Sequence, residues 1–184
     1  MNINLKSNLK TRDLTYISVF IAIIAICSWI SIPMTIPFTL QTFAIFITIG
    51  LLGTVKSFLA ILLYIFLGAI GLPIFSNFTG GFGVLFGPTG GYILGFLFTA
   101  IVTGILIDLL PKENIFLIGA MLIGLLVCYF LGTIWFVLVY TNNSGYISIY
   151  KALSLCVFPF IIPDLVKIGL ASIIINKLKR NINL

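Results

Sequence analysis

Apolar residues form six long runs separated by short links, and this pattern restricts the chain to a membrane fold. The sequence of 184 residues is 61% hydrophobic and only 8% charged, and its mean hydropathy is +1.28. A soluble domain of this size could not bury that much apolar surface. We therefore predict an all-α integral membrane protein: a single transmembrane domain, residues 1–184, built as a bundle of six helices. The predicted spans cover about residues 14–32, 38–54, 56–71, 91–110, 115–140 and 149–176.

The basic residues predict how these spans are oriented. Six spans put nearly all lysines and arginines on one side of the membrane: Lys6, Lys10, Arg12, Lys56, Lys112, Lys177, Lys179 and Arg180. The links on the other side, residues 33–37, 71–90 and 141–148, contain none, and Lys151 follows just after them. By the positive-inside rule both termini are expected to be cytoplasmic. The net charge of +6 then reflects topology and contact with lipid headgroups, and no nucleic-acid partner is expected.

The link from Gly71 to Tyr92 reads G-L-P-I-F-S-N-F-T-G-G-F-G-V-L-F-G-P-T-G-G-Y and is unusual for an external loop. It is uncharged, its glycines and prolines disfavour a helix, and its many apolar side chains disfavour free exposure to water. Glycine backbones such as that of Gly81 can approach a ligand closely. We predict a Gly-rich extracellular loop between helices 3 and 4 that covers an outward-facing cavity under residues 72–90. The alternative is a mobile external loop.

Two charges lie inside an apolar run, in P-F-I-I-P-D-L-V-K-I-G-L. Asp164 and Lys167 are three residues apart and therefore project from the same face of a helix. A charge at the bilayer centre costs on the order of 3 kcal/mol, so the pair is expected to face a cavity or the protein interior. Pro163 predicts that the sixth helix restarts beside Asp164. The pair is either a substrate site, where Asp164 accepts from N–H groups and Lys167 binds a carbonyl or carboxylate, or an ion pair that fixes helix register.

Three further polar residues on the outer side are candidates for contact with a substrate. Gln41 begins the second span and can both donate and accept hydrogen bonds. Asn77 is either a turn residue or a ligand contact. Tyr92 is either part of an apolar wall for a small molecule or an interfacial anchor.

An enzyme is not expected. The chain has no histidine and only four acidic residues, so general bases and metal ligands are scarce. Its three cysteines, Cys27, Cys128 and Cys156, lie singly in apolar runs and predict small core residues rather than a disulfide or metal site. No G-x-x-x-x-G-K motif occurs. We expect a transport protein without a cofactor, whose energy for uphill transport comes from partner chains or an ion gradient.

Several motifs resemble those of the BioY family, the biotin-binding S components of energy-coupling-factor (ECF) vitamin transporters. They are P-F-T-L-Q-T (37–42), L-G-A-I-G-L-P-I-F (67–75), G-G-F-G-V-L-F-G-P-T-G-G-Y-I-L-G-F (80–96) and P-D-L-V-K (163–167). The resemblance implies a six-helix protein of the prokaryotic plasma membrane that captures biotin from outside. It also implies that Asn77, Asp164 and Lys167 contact the head group or the carboxylate of biotin.

The same resemblance implies partner proteins, namely a transmembrane coupling subunit and two ATPase subunits. S components commonly dock on the coupling subunit through an Ala-x-x-x-Ala pattern in the first helix. The nearest match here is Ser18-x-x-x-Ala22, with Ala25 close by. The alternatives to biotin capture are an S component for another vitamin and a stand-alone secondary transporter of a small organic molecule.

Overall fold

A computed structural model of the chain describes residues 10–181, and helices dominate this part of the chain. The elements are α1 (Thr11–Trp29), β1 (Ser31–Ile32), β2 (Phe38–Thr39), α2 (Gln41–Ala69), a 3₁₀ turn (Ser76–Phe78), α3 (Phe82–Phe86), α4 (Gly90–Leu109), α5 (Asn114–Ser144), α6 (Ile149–Cys156) and α7 (Phe158–Asn181). Within the described residues, five helical segments are long and apolar enough to cross a membrane: α1, α2, α4, α5 and the combined stretch Ile149–Arg180. The predicted all-α membrane fold is confirmed, and within residues 10–181 the sheet is limited to the antiparallel pair β1–β2.

Helix α2 is a hairpin rather than one straight helix. Gly53 has φ 75° and ψ 178°, outside the helical region, in a conformation that glycine adopts easily. The Nε2 atom of Gln41 lies 2.9 Å from the hydroxyl of Tyr64, 23 residues further along. A straight helix would separate these residues by about 34 Å at 1.5 Å per residue. The two arms of α2 therefore run antiparallel, so that α2 supplies two of the six predicted passages.

The basic segments meet at one end of the bundle. Lys56, just after the hinge of α2, forms a 2.6 Å ion pair with Asp13 at the start of α1. Thr54 donates a 2.7 Å hydrogen bond to Asp108 at the end of α4, and Lys179 of α7 lines the same cleft as Asp108. The basic segments that were predicted to share one side of the membrane therefore lie together at one end of the bundle. Lys6 lies outside the described residues.

Helices α4 and α5 pack closely because small residues face large ones across their interface. A Cβ atom added to Gly132 would overlap the ring of Tyr92, and one added to Gly91 would overlap Trp135. A Cβ atom on Gly124 would overlap the hydroxyl of Thr103. Membrane helices often approach through such residues, since van der Waals contact rather than the hydrophobic effect drives their association.

Replacing Gly124 by leucine is expected to lower the thermal midpoint of the detergent-purified protein. The added side chain would force α4 and α5 apart, and overpacking of this kind costs roughly 1–3 kcal/mol. The matched control is Gly119→Leu on the same helix, where a Cβ atom meets nothing within 4 Å. Equal melting of both variants and the wild type would show that this close approach is not a source of stability.

The final apolar run is interrupted at a different residue from the one expected. The predicted restart at Pro163 is wrong, because Pro163 lies inside α7. The break is at Val157, which has φ −127° and ψ −56° and separates α6 from α7. Pro159 accounts for the restart there, since it occupies the first turn of α7, where its missing N–H leaves no helical hydrogen bond unmade. Asp164 is consequently within the helix rather than at its N-terminus.

Candidate functional site

A cavity of about 70 Å³ lies at the end of the bundle opposite the basic segments. It is bordered by the link between β1 and β2, both ends of the Gly-rich loop, and helices α2, α4, α5, α6 and α7. Its wall consists of Ile36, Pro37, Thr39, Gln41, Thr42, Ser76, Thr89, Tyr92, Ile93, Phe96, Cys128, Tyr129, Cys156, Phe160, Asp164 and Lys167. Nine of these sixteen residues are apolar, aromatic or cysteine, and the other seven are polar or charged. An apolar wall with convergent polar groups is usual in small-molecule sites.

Asp164 is the most heavily hydrogen-bonded acceptor of the cavity and is only 3% exposed. Its Oδ1 atom accepts from the hydroxyl of Thr42 at 3.0 Å and from Nζ of Lys167 at 2.8 Å. Its Oδ2 atom accepts from the hydroxyl of Tyr129 at 2.6 Å. Because a carboxylate has about four lone-pair sites, these bonds leave room for one further donor.

Lys167 is equally buried, at 5% exposed, and all three of its N–H donors are used. Besides the bond to Asp164, Nζ donates to the carbonyl of Thr39 at 2.6 Å and to the hydroxyl of Thr42 at 3.1 Å. The ammonium also lies 4.1 Å from the centre of the Phe38 ring, a cation–π contact. The β1–β2 hairpin thus supplies two of the groups that stabilise the buried cation.

The charged pair and its hydroxyl partners form a compact polar cluster in an apolar wall. Thr42 joins the two charges, since its hydroxyl donates to Asp164 and accepts from Lys167. Such a cluster can exchange internal hydrogen bonds for bonds to a ligand that carries both N–H donors and a carbonyl or carboxylate. The structure therefore brings together the two charges that the sequence singled out, on the cavity wall.

Gln41 and Tyr92 also line the cavity. Gln41 is 5% exposed and lies at the start of α2, directly before Thr42. The hydroxyl of Tyr92 lies 3.1 Å from that of Thr133 and donates to the carbonyl of Cys156 at 3.3 Å. Since this hydroxyl already has protein partners, the ring of Tyr92 is the part that contributes apolar wall.

Asn77 and Gly81 are not on the cavity wall. Asn77 is exposed, has φ 56°, and accepts a 3.0 Å hydrogen bond from Ser31. The N–H of Gly81 donates to the carbonyl of Gly68 at 2.7 Å. Both residues shape the loop in this structure, and their contact with a substrate stays a prediction.

The Gly-rich loop is anchored to the bundle and closes one side of the cavity. Trp29 donates a 2.8 Å hydrogen bond to the carbonyl of Pro73, and Trp135 donates one of 3.0 Å to the carbonyl of Gly87. Ser76 and Thr89, near the two ends of the loop, line the cavity. This packing matches the prediction of a covering segment rather than a free external loop.

The predicted docking residues of α1 do not share one surface. Ser18 and Ala22 are exposed, and their four-residue spacing puts them on one helix face. Ala25 is 5% exposed and packs in the core. An exposed docking strip on α1 would therefore include Ser18 and Ala22 but not Ala25.

Seven cavity residues with polar or sulfur groups were not singled out for the site by sequence reasoning: Thr39, Thr42, Ser76, Thr89, Cys128, Tyr129 and Cys156. Tyr129 and Thr42 bind Asp164, yet a single hydroxyl in an apolar run is common and gives no distinct signal. Cys128 and Cys156 were expected as core residues, and both are buried, but they also line the cavity. The position of Thr42 next to Gln41 at the outer start of a span was the only available clue.

Comparisons with known proteins agree on one family. The chain matches the model described as the BioY family over residues 2–184. A Thermotoga maritima protein named biotin transporter BioY is 40% identical over 171 residues, which is 92% of this chain and 96% of that protein. A Pyrococcus horikoshii protein named probable biotin transporter BioY is 34% identical, covering 94% of this chain and 99% of that one. The crystal structure of the S-component for biotin from an ECF-type ABC transporter matches with a TM-score of 0.84 and 28% identity, covering 96% of this chain and 95% of that one.

Proposed function

Because the chain belongs to the BioY family, we propose that it captures biotin from the outer side of the membrane as the S component of an ECF-type transporter. The observation that carries the proposal is the buried Asp164–Lys167 pair on the wall of a largely apolar cavity. A buried pair within a membrane span is expensive unless it has a partner or a function. Here it has internal partners and also lines the cavity.

The chemistry of biotin fits the cavity wall. Its ureido group offers two N–H donors and one carbonyl acceptor, its bicycle is apolar, and its side chain ends in a carboxylate. Asp164 would accept from an N–H group, and Lys167 would donate to a carbonyl or carboxylate oxygen. The rings of Tyr92, Phe96 and Phe160 would cover the apolar part.

Transport would require partner proteins. The chain carries no P-loop motif, so we propose that a transmembrane coupling subunit and two ATPase subunits supply the energy, as the family assignment suggests. The exposed Ser18 and Ala22 of α1 would form part of the docking surface. The basic end of the bundle, with both termini, would face the cytoplasm, and the cavity and the Gly-rich loop would face outward.

Equilibrium binding of biotin to the purified protein in detergent tests this function, with thiamine and riboflavin as controls. Tight and selective binding of biotin is expected. Selective binding of another vitamin would indicate an S component of different specificity. The absence of binding to all three, in protein with a cooperative melting transition, would overturn the proposal and favour a transporter of another small molecule.

A further inference from the structure

The side-chain amide of Gln41 is held in one orientation by Tyr64. The Nε2 atom of Gln41 donates to the hydroxyl of Tyr64 at 2.9 Å. That hydroxyl in turn donates to the backbone carbonyl of Ile74 at 2.8 Å. Tyr64 is fully buried, at 0% exposed, and Gln41 is nearly so, which makes this chain of hydrogen bonds a fixed part of the interior.

The donor and acceptor in each of these two hydrogen bonds follow from the number of available protons. A carbonyl oxygen can only accept, so the single hydroxyl proton of Tyr64 must point toward Ile74. The oxygen of Tyr64 can then only accept from Gln41, and the group facing it must be the NH₂ rather than the oxygen of the amide. The Oε1 atom of Gln41 is consequently on the side of the amide away from Tyr64.

This Oε1 atom is open toward the cavity. Among residues 10–181, no hydrogen bond to it is present, and the one side-chain oxygen or nitrogen that is both sealed from solvent and unpartnered is Oγ1 of Thr103. The Oε1 atom therefore retains access to free space, and the cavity is the space that Gln41 lines. A buried acceptor without a partner, at a cavity wall, is suited to a ligand donor.

We infer that Tyr64 is a positioning residue for substrate recognition, because it forces Gln41 to present an acceptor to a ureido N–H of biotin. The inference rests on the proposed function and deepens it. Tyr64 does not line the cavity and acts through Gln41 alone. Without its hydroxyl, the amide is free to rotate and to present its NH₂ group, which repels a ligand N–H.

A double-mutant cycle on biotin affinity tests this role. Tyr64→Phe removes only the hydroxyl, and Gln41→Met keeps the side-chain length but removes the amide. Each single variant is expected to weaken biotin binding about tenfold, the order of one uncharged hydrogen bond. If Tyr64 acts through Gln41, then Tyr64→Phe has no further effect in the Gln41→Met background. Independent, additive losses would overturn the inference.

Trp29→Phe is the matched control. The indole N–H of Trp29 anchors the same loop through its 2.8 Å hydrogen bond to the carbonyl of Pro73, and Trp29 forms no hydrogen bond with Gln41 or Tyr64. Its removal is expected to change biotin affinity less than twofold, so a tenfold loss would indicate that anchoring of the loop, rather than the orientation of Gln41, matters for binding. Failure of the wild-type protein to bind biotin would instead count against the proposed function, which separates the two failures.

A second measurement does not depend on any variant. Gln41 is the only glutamine in the chain, so labelling with glutamine carrying ¹⁵N in its side chain gives one amide NH₂ signal in an NMR spectrum. That NH₂ group is expected to be protected from solvent exchange before biotin is added and to remain bonded to Tyr64 afterwards. Loss of the protected signal when biotin binds would mean that Nε2 turns to the ligand, and this result would overturn the inference.

Discussion

Replacing Lys167 by methionine is expected to weaken biotin binding by roughly 100-fold or more and to destabilise the unliganded protein. Methionine replaces the aliphatic stem of lysine but removes the donor for biotin and the counter-ion of Asp164. Truncating one partner of a buried charged pair typically costs about 2–5 kcal/mol in binding. Loss of the counter-ion leaves the Asp164 carboxylate buried with only the Tyr129 and Thr42 hydroxyls as donors, a change that destabilises folded proteins by roughly 3–5 kcal/mol.

Biotin titration and thermal melting in the same detergent measure these two effects. The control is Lys151→Met, which removes a lysine that is exposed on α6, the helix that contributes Cys156 to the cavity wall. The control is expected to change neither quantity by much, since exposed charges contribute little. Biotin affinity close to that of the wild type in Lys167→Met would exclude Lys167 from the binding site.

The sequence was sufficient to find the charged pair because a charge inside a membrane span is costly, and therefore rare unless it faces a cavity or the protein interior. Asp164 and Lys167 are the two charges inside the last apolar run, and the structure has them 2.8 Å apart. The hydroxyl groups that complete their coordination did not stand out. Tyr129 lies in another helix, 35 residues before Asp164, and only the packing of α5 against α7 makes the two residues neighbours.

The orientation of the Gln41 amide is a second feature that the sequence could not predict. The sequence alone predicts that Gln41 begins a span, and its amide can both donate and accept hydrogen bonds. Which of the two functions faces the cavity depends on Tyr64, which lies on the opposite arm of the α2 hairpin, and on the Ile74 carbonyl in the loop. No pattern in the sequence specifies that chain of hydrogen bonds.

Helix boundaries were predicted less well than the number of passages. The first span was expected at about residues 14–32, whereas α1 is Thr11–Trp29. Asp13 lies just before the predicted span, but its ion pair with Lys56 lets it lie within the helix. At the other end Ser31 and Ile32 pair with Phe38 and Thr39 as strands, which shortens both neighbouring helices and brings Thr39 to Lys167.

Removing both charges together, in the double variant Asp164→Leu/Lys167→Met, is expected to recover much of the stability lost in Lys167→Met while biotin binding stays at least as weak as in that single variant. No buried charge is left without a counter-ion, and replacement of a buried ion pair by apolar residues of similar size is often close to neutral. The hydroxyl of Tyr129 loses its acceptor, so full recovery is not expected.

The double variant separates the two interpretations of the pair. If the pair only fixes helix register, the apolar replacement either binds biotin normally or fails to fold at all. If the pair is the recognition site, a folded protein that binds biotin at least as weakly as Lys167→Met is the result, because the apolar side chains offer neither an acceptor for an N–H group nor a donor for a carbonyl or carboxylate. Melting curves and biotin titrations of the wild type, Lys167→Met and the double variant, recorded side by side, decide between them. A double variant that melts near the wild type and still binds biotin would reduce Asp164 and Lys167 to structural residues.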